Sequence, residues 1–268
     1  MSDLHMALEA ALGPIYQVER EVRPVGECRL FVAQELPSGP ELLVKVLPGE
    51  LSLAVDSRGF ERQLILLADR LGDPRLVAPR GGGRAGSFVY HARQFVEGTT
   101  LRASLVKNGE LPLHRVVEIL RAILAALAHA HAANIGHGDL KPENVLLAPG
   151  HTLLADTGIV DALGRSLPGG APGRATAALC ASPYLAPERR DGGAPAPRDD
   201  LFAVGVLAHE MLTGRTPAPE EEPLDEIRSV PPLLGELMRR CLAPEPEARW
   251  ADAAAALASV SRPSWGGA

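Results

Sequence analysis

A short run of polar residues near the middle of the chain has the residue types and spacing that phosphoryl transfer requires. Lys141 lies two residues after Asp139, and Asn144 lies three residues after Lys141. A carboxylate can accept the proton of an attacking hydroxyl, an ammonium group can offset charge on the moving phosphoryl group, and an amide oxygen can bind Mg²⁺. These three residues are therefore the first candidates for chemistry.

A second acidic residue follows at a distance that suits a shared metal site. Asp156 opens the tripeptide Asp-Thr-Gly, twelve residues after Asn144, and residues 151–155 before it, which end in Leu-Leu-Ala, predict a short strand. Carboxylate and amide oxygens are the ligands that Mg²⁺ prefers in proteins. Asp156 and Asn144 are thus the candidate metal ligands.

Short apolar runs separated by turns predict strands in the first third of the chain. The predicted strands are residues 15–22, 29–34, 41–47, 76–78 and 88–96, which together would form a five-stranded sheet. A helix is predicted at residues 59–71, because apolar residues recur there with helical spacing. Lys45 lies inside the apolar third strand, which favours a functional role over that of a plain surface lysine.

The later part of the chain is rich in leucine and alanine at helical spacing. The predicted helices are residues 113–133, 201–213, 233–242 and 251–260, and residues 163–173 are predicted to form an irregular loop. A sheet-rich part followed by a helical part predicts an α+β fold with two lobes. We expect the boundary near residues 97–98.

The order and spacing of these motifs resemble those of the eukaryotic-type protein kinases, particularly the bacterial serine/threonine kinases. The motifs that carry the resemblance are the strand lysine Lys45, the loop His-Gly-Asp-Leu-Lys-Pro-Glu-Asn at 137–144, Asp156-Thr157-Gly158, Ala186-Pro187-Glu188, Asp200 and Arg249. The resemblance implies a two-lobed kinase fold. It comprises a nucleotide-binding, β-rich lobe with one long helix at 14–97, a mostly helical catalytic lobe at 98–260, and a tail at 261–268.

The resemblance also implies a role for each polar candidate. Asp139 would act as the catalytic base, and Lys141 would stabilise charge on the transferred group. Asn144 and Asp156 would hold Mg²⁺, and Lys45 would contact the phosphates of ATP. The implied cofactors are thus ATP and Mg²⁺, and the implied acceptor is a serine or threonine of a protein.

The resemblance further implies how the adenine ring would be held. The backbone of Gln94 and Val96 would supply the hinge contacts, while Leu30 and Leu146 would sandwich the ring. A gap-free alignment places Leu64 where the family has the glutamate that pairs with the strand lysine. Glu61, nearly one turn earlier, is the acidic residue that would pair with Lys45 if the helix shifts.

Several residues around the nucleotide depart from the family pattern. Arg23, Val25 and Cys28 fall at the three glycine positions of the phosphate-covering loop, where glycine normally lets backbone N–H groups approach the phosphates. Leu43 replaces a small residue against the adenine. Arg93 occupies an ordinarily apolar position just before the hinge, where its charge requires an acidic partner or water.

These departures leave alternatives open. The first is a working serine/threonine protein kinase. The second is a weak or inactive pseudokinase that acts as a binding or scaffolding module. A third class, kinases of small molecules, shares the sequence His-Gly-Asp but typically lacks Lys141 and the Ala-Pro-Glu segment, so a protein partner is favoured.

Composition excludes other classes of function. The net charge of −6 and the lack of a basic stripe argue against nucleic-acid binding. Three widely spaced cysteines favour a reducing compartment over a disulfide framework. The start of the chain does not read as a secretory signal, and no apolar run reaches the ~18 residues needed to cross a bilayer. We therefore expect a cytoplasmic protein without a membrane segment, of undetermined oligomeric state.

Overall fold

The computed structural model describes residues 3–25, 28–169, 182–190, 196–218 and 230–261. The first third of the chain contains the five strands of one sheet, three helices, and a short strand, β4, that belongs to a second sheet. In chain order they are α1 (Asp3–Leu12), β1 (Tyr16–Val25), β2 (Cys28–Glu35), β3 (Glu41–Val46), α2 (Gly49–Ala54), α3 (Ser57–Arg70), β4 (Leu76–Val77), β5 (Pro79–Ala85) and β6 (Phe88–Gln94).

An antiparallel sheet of five strands, in the order β1-β2-β3-β6-β5, forms the body of this part. Successive side chains of a strand point to opposite faces of its sheet. In β3 this alternation buries Leu42, Val44 and Val46 in a core that α1 also joins. Leu43 and Lys45 consequently point to the other face, towards the helical part of the protein.

The prediction of five strands is confirmed in number, but one predicted member is wrong. Residues 76–78 do not join this sheet, because Leu76 and Val77 of β4 pair in parallel with β9 in a second sheet. The fifth strand is β5, whose sequence PRGGGRA lacks an apolar alternation. Glycine is needed there because α3 packs closely on the strand. A Cβ on Gly82 would lie only 2.5 Å from the side chain of Leu64 in α3, which leaves no room for a side chain.

The second part consists mainly of helices with a small sheet in the order β4-β9-β8-β7. Its elements are β7 (Thr99–Thr100), α4 (Leu101–Asn108), α5 (Leu113–Ala132), β8 (Val145–Ala148), β9 (His151–Ala155), α6 (Ile159–Arg165), α7 (Pro187–Arg190), α8 (Pro197–Thr213), α9 (Pro232–Cys241) and α10 (Ala253–Val260). Single 3₁₀ turns occupy Pro142–Asn144 and Pro246–Ala248. The space between the five-stranded sheet and this part is called the cleft below.

The predicted helices of the second part are confirmed, with shifts at their ends. Helix α8 begins four residues earlier than predicted, at Pro197, because proline suits the first position of a helix. The carboxylate of Asp199 accepts a hydrogen bond from the N–H of Ala196, which satisfies a backbone donor at that end. The predicted irregular loop at 163–173 is wrong at its start, since helix α6 continues to Arg165, and its last part, 170–173, lies outside the described residues.

Helix α5 is the centre of the helical core and leads into the candidate catalytic loop. Ile119, Ile123 and Leu127, spaced by four residues, are buried along one side of it. Just after this helix Asn134 adopts a left-handed conformation (φ 55°), and the chain turns directly into the loop.

In the part of the chain that the structure describes, no helix is both long enough and apolar enough to span a membrane. This includes α5.

Candidate active site

Asp139 lies at the centre of a compact group of polar side chains. The ammonium group of Lys141 is 2.6 Å from Oδ2 of Asp139. The side-chain amide of Asn144 donates to the backbone carbonyl of Asp139 at 2.8 Å and to its Oδ2 at 3.2 Å. The three residues that the sequence singled out therefore form one contact network, in which Asn144 and Lys141 hold the carboxylate of Asp139.

A buried aspartate of helix α8 fixes the backbone of this loop. Asp200 accepts hydrogen bonds from the N–H groups of His137 (2.7 Å) and Gly138 (3.0 Å) and contacts Nε2 of His131 at 2.9 Å. Gly138 has φ of 79°, a conformation that favours glycine. Burial opposes ionisation of Asp200, but its interactions with His131, His137 and the N–H of Gly138 together outweigh burial and lower the pKa of Asp200 below its ordinary value. The loop backbone is therefore anchored to the helical core.

Lys45 and Asp156 meet across the cleft. Nζ of Lys45 is 2.9 Å from Oδ2 of Asp156, and both side chains are largely buried. Burial disfavours both charges, yet the two groups stabilise each other. The carboxylate of Asp156, with a weaker effect from Asp139, raises the pKa of Lys45, and the ammonium group lowers the pKa of Asp156. Both groups are thus charged at neutral pH.

Arg93 is the second cation beside Asp156. Its Nε is 3.6 Å from Oδ1 of Asp156, and its side chain is 11 % exposed. The sequence required an acidic partner or water for this guanidinium, and the acidic partner is Asp156. Each oxygen of that carboxylate therefore faces a cation, Lys45 on one side and Arg93 on the other.

Helix α3 does not supply a partner for Lys45 among the described contacts. Phe60, Leu64 and Leu67 are its buried residues, and this apolar side faces the core. Glu61, which we predicted as a binding residue, is exposed and is not brought into an ion pair with Lys45. The reason is geometric: successive residues of a helix point about 100° apart, so burying Phe60 and Leu64 turns Glu61 away from Lys45.

A pocket of about 620 Å³ lies beside these charges at the predicted adenine site. Leu30 of β2 and Leu146 of β8 contribute apolar surface to it, and Leu43, Arg93 and Val96 also line it. Ligand pockets commonly measure 300–1,000 Å³, so this one has room for a nucleoside. Leu43 lines this pocket but does not fill it.

The hinge segment follows β6. Gln94 pairs with Leu42 in the sheet, and its side chain is outside the pocket, next to Arg80 at 3.5 Å. The backbone carbonyl of Gln94 accepts a hydrogen bond from Nη1 of Arg93 at 3.2 Å. An atom that we predicted to contact adenine is therefore already bonded to a side chain of the protein.

The altered phosphate-covering loop is described only in part. The side chains of Arg23 and Val25 lie outside the described residues, and so do Gly26 and Glu27. Cys28 is described and buried, and this burial raises the pKa of its thiol. The effect of the loop on nucleotide binding stays a prediction.

Two scaffold residues named by the resemblance lie in contact. Arg249 makes a two-pronged ion pair with Glu188, with N–O distances of 2.6 Å and 2.9 Å. The guanidinium also donates to backbone carbonyls of Ala243, Pro244 and Arg198, and its side chain is fully buried. This contact joins the end of the Ala-Pro-Glu segment to the helical core.

Sequence reasoning missed a second charged network near the loop. Arg102 of α4 donates to Glu143 (2.8 Å), to Glu210 (2.7 Å) and to the hydroxyl of Tyr184 (2.8 Å). That hydroxyl in turn donates to Glu210. These residues are scattered over more than a hundred positions and form no local pattern, so nothing in the sequence pointed to their meeting.

The donors near Asp156 suit a magnesium ion that is shared with a nucleotide. Asp156 offers carboxylate oxygens and Asn144 an amide oxygen, which are the hard oxygen donors that Mg²⁺ prefers. Among the described residues, no group of three or more His, Cys, Asp or Glu side chains could hold a metal ion alone. Phosphate oxygens would therefore have to complete the coordination.

Comparison with known proteins identifies the family. Residues 63–260 match the protein kinase domain family. The chain is 37 % identical over 203 residues to the serine/threonine-protein kinase PknL of Mycobacterium tuberculosis, covering 69 % of this chain and 50 % of PknL. It is 31 % identical over 206 residues to PrkC of Bacillus subtilis, covering 75 % of this chain and 31 % of PrkC.

A solved structure shares the fold. A double mutant of the kinase domain of Mycobacterium tuberculosis PknI superposes with a TM-score of 0.74 at 24 % identity, covering 92 % of this chain and 95 % of that one. This agreement confirms the predicted α+β kinase fold. The chain matches half or less of the length of PknL and PrkC. The family match begins after the strand that carries Lys45.

Proposed function

Because the chain belongs to the protein kinase family, we propose that it transfers the γ-phosphoryl group of ATP to serine or threonine hydroxyls of a protein substrate. One observation carries this proposal: Lys45 and Asp156 pair across the cleft, beside a loop in which Lys141 and Asn144 hold Asp139. Phosphoryl transfer depends mainly on positioning and on charge stabilisation, and these are the side chains that supply both.

Asp139 would orient the acceptor hydroxyl and accept its proton. Lys141, 2.6 Å from Asp139, would lie next to the transferred group and offset its negative charge. Asn144 would keep the carboxylate in place through its two hydrogen bonds to Asp139. The anchor through Asp200 would limit motion of the loop and so preserve these distances.

The nucleotide would occupy the 620 Å³ pocket with its adenine between Leu30 and Leu146. Its phosphates would point towards Lys45. Asn144 and Asp156 would hold Mg²⁺, which supplies charge neutralisation between the phosphates when it is bound. Asp156 would have to loosen its contacts with Lys45 or Arg93 to coordinate the ion.

A protein acceptor is favoured over a small molecule. Ser182, Leu185 and Ala186, at the end of the segment before α7, line the same small cavity as Asp139. A chain running along this surface would bring a side-chain hydroxyl to Asp139. PknL and PrkC, the relatives described above, are both named as serine/threonine-protein kinases, which supports this acceptor class.

A second candidate function, a pseudokinase that serves as a binding module, is supported by the surroundings of Asp156. Lys45 takes Asp156 as its partner, with Leu64 at the position where the family has a glutamate. Arg93 forms an ion pair with Asp156 and donates a hydrogen bond to the carbonyl of Gln94. A protein with these contacts would need to rearrange before it could hold a metal–nucleotide complex.

The domain is also proposed to work in a reducing, cytoplasmic compartment. Cys28 and Cys241 are free and buried, and such thiols persist most readily where glutathione keeps them reduced. Fractionation of cells that express the native gene would test this location. Recovery of the domain from an oxidising compartment would contradict it.

Two measurements test the proposed function. Transfer of labelled phosphate to a generic basic protein should occur with the native chain and fall by at least about 100-fold in Asp139→Asn, which removes the base while keeping the side-chain shape. Thermal unfolding with ATP and Mg²⁺ should show stabilisation of about 2.7 kcal/mol at 100 times the dissociation constant. Nucleotide binding without any Asp139-dependent transfer would select the pseudokinase.

A further inference from the structure

Arg93 makes two contacts in the cleft that a bound nucleotide would also need. Its Nε faces Oδ1 of Asp156 at 3.6 Å, and its Nη1 donates to the carbonyl of Gln94 at 3.2 Å. Oδ1 belongs to Asp156, the candidate metal ligand. The carbonyl of Gln94 belongs to the hinge, where it would accept a hydrogen bond from a purine amino group.

The sheet fixes Arg93 in this position. Arg93 pairs with Leu43, and His91 pairs with Lys45, in the antiparallel ladder between β6 and β3. Directly paired residues of neighbouring strands point to the same face of the sheet. Arg93 therefore lies on the cleft side together with Leu43 and Lys45, and it lines the nucleotide pocket.

Among the described residues, two cations share one carboxylate at this end of the cleft. Lys45 and Arg93 both face Asp156, and Leu64 contributes no charge from helix α3. A triphosphate carries several negative charges and is normally neutralised by a divalent ion together with basic side chains. Here a second fixed cation already stands next to the metal ligand.

We propose that Arg93 sets the metal dependence of nucleotide binding, by competing with Mg²⁺ for Asp156 and by neutralising phosphate charge when the ion is absent. This inference rests on the proposed function, because it assumes that the pocket binds a nucleoside triphosphate. Its consequence is that the native chain binds metal-free ATP nearly as well as Mg²⁺–ATP.

The decisive variant is Arg93→Met, which keeps an unbranched side chain and removes the charge. Asp156 retains Lys45 as its partner in this variant, so no buried carboxylate is left without a cation. Arg80→Met is a matched control, since Arg80 is exposed and its one hydrogen bond among the described residues, 3.5 Å long, is to the side chain of Gln94, outside the pocket. Thermal unfolding establishes that each variant is folded.

The dissociation constant of ATP is measured by calorimetry in excess EDTA and in excess Mg²⁺. For the native chain and for Arg80→Met we expect the two constants to agree within about threefold. For Arg93→Met we expect Mg²⁺ to tighten binding by about tenfold or more, since a cation next to a largely buried carboxylate has at least an effect of this order. Arg93→Lys, which cannot make both contacts at once, should fall between them.

The inference fails if the native chain and Arg93→Met show the same dependence on Mg²⁺, or if neither binds ATP in either condition. If Arg93→Met does not fold, Arg93→Lys alone decides, and an unchanged ratio in it overturns the inference. Failure of the proposed function would look different. Binding would then follow the expected ratios, while phosphate transfer would be absent or unaffected by Asp139→Asn.

Discussion

Lys45 and Asp156, separated by 111 residues in the chain, form an ion pair with an N–O distance of 2.9 Å across the cleft. Strand β3 carries the lysine, and the aspartate follows directly after β9 with a left-handed backbone (φ 62°). The pair joins the five-stranded sheet to the small sheet of the second part.

Substitution Lys45→Met should weaken ATP binding and phosphate transfer more than it affects the fold. Arg93 would remain beside Asp156 and limit the cost of leaving that carboxylate without its lysine. We expect kcat/KM to fall by about 100-fold or more, the size typical of losing one preorganised electrostatic contact. Transfer assays and ATP-induced thermal shifts measure this, and an undiminished thermal shift would contradict a phosphate-binding role for Lys45.

The ion pair of Arg249 and Glu188 should contribute to stability, because the Arg249 side chain is fully buried, while that of Glu188 is 27 % exposed. Arg249→Met would leave the carboxylate of Glu188 without its two-pronged partner and the carbonyls around it without a donor. Leaving buried acceptors without a donor typically costs about 1–3 kcal/mol, and we expect a loss of about 3 kcal/mol here. Urea unfolding at pH 7 measures the change in the free energy of unfolding.

Arg239→Met is the control for this prediction, because Arg239 and its partner Glu236 are both on the surface of α9. Its effect should stay within about 0.5 kcal/mol. Equal losses in the two variants would mean that burial of the Arg249 contact is not what stabilises the fold.

His91 should make the protein sensitive to acid. It lies on β6, pairs with Lys45 and is 2 % exposed. Burial, opposed by Asp156 and assisted by Lys45 and Arg93, lowers the pKa of His91 to about 4. An unfolded histidine has a pKa of about 6.5, so between pH 6.5 and 4 the unfolded chain binds more protons and stability falls as the pH falls.

The size of this effect follows from the two pKa values. Between pH 7.5 and pH 5 it amounts to about 2 kcal/mol of unfolding free energy, which His91→Leu should abolish. Denaturant unfolding of the native chain and the variant at both pH values measures the difference. An identical acid-induced loss in the two proteins would show that His91 is not responsible.

The network around Arg102 should behave as a coupled unit. Arg102→Met would leave the carboxylates of Glu143 and Glu210 near each other without their shared cation. We expect a loss of about 3 kcal/mol, because the Glu210 side chain is buried. When Glu210 is already replaced by Gln, Arg102→Met should lower the free energy of unfolding by at least about 1 kcal/mol less than it does in the native chain. A double-mutant cycle measures this coupling. Additive losses would contradict it.

The local motifs were readable in the sequence because their members are close along the chain. Asp139, Lys141 and Asn144 lie within one loop, and the strand before Asp156 was predicted with its observed limits, His151–Ala155. Helices α5, α8 and α9 were predicted because apolar residues repeat along them at helical spacing. Strand β5 was not, since its glycines reflect close packing of α3 and carry no alternation.

The kinase family, the α+β order of elements and the residues able to do chemistry could all be predicted, because each depends on residue types and spacing within short stretches of the chain. The pairing of charges could not be predicted and is seen only in the folded protein. Lys45 takes Asp156 and not Glu61, Arg93 reaches Asp156 and the carbonyl of Gln94, and Arg102 joins two glutamates. Ion pairs form between residues that distant strands and helices bring together, and the strength of each depends on burial that no local pattern records.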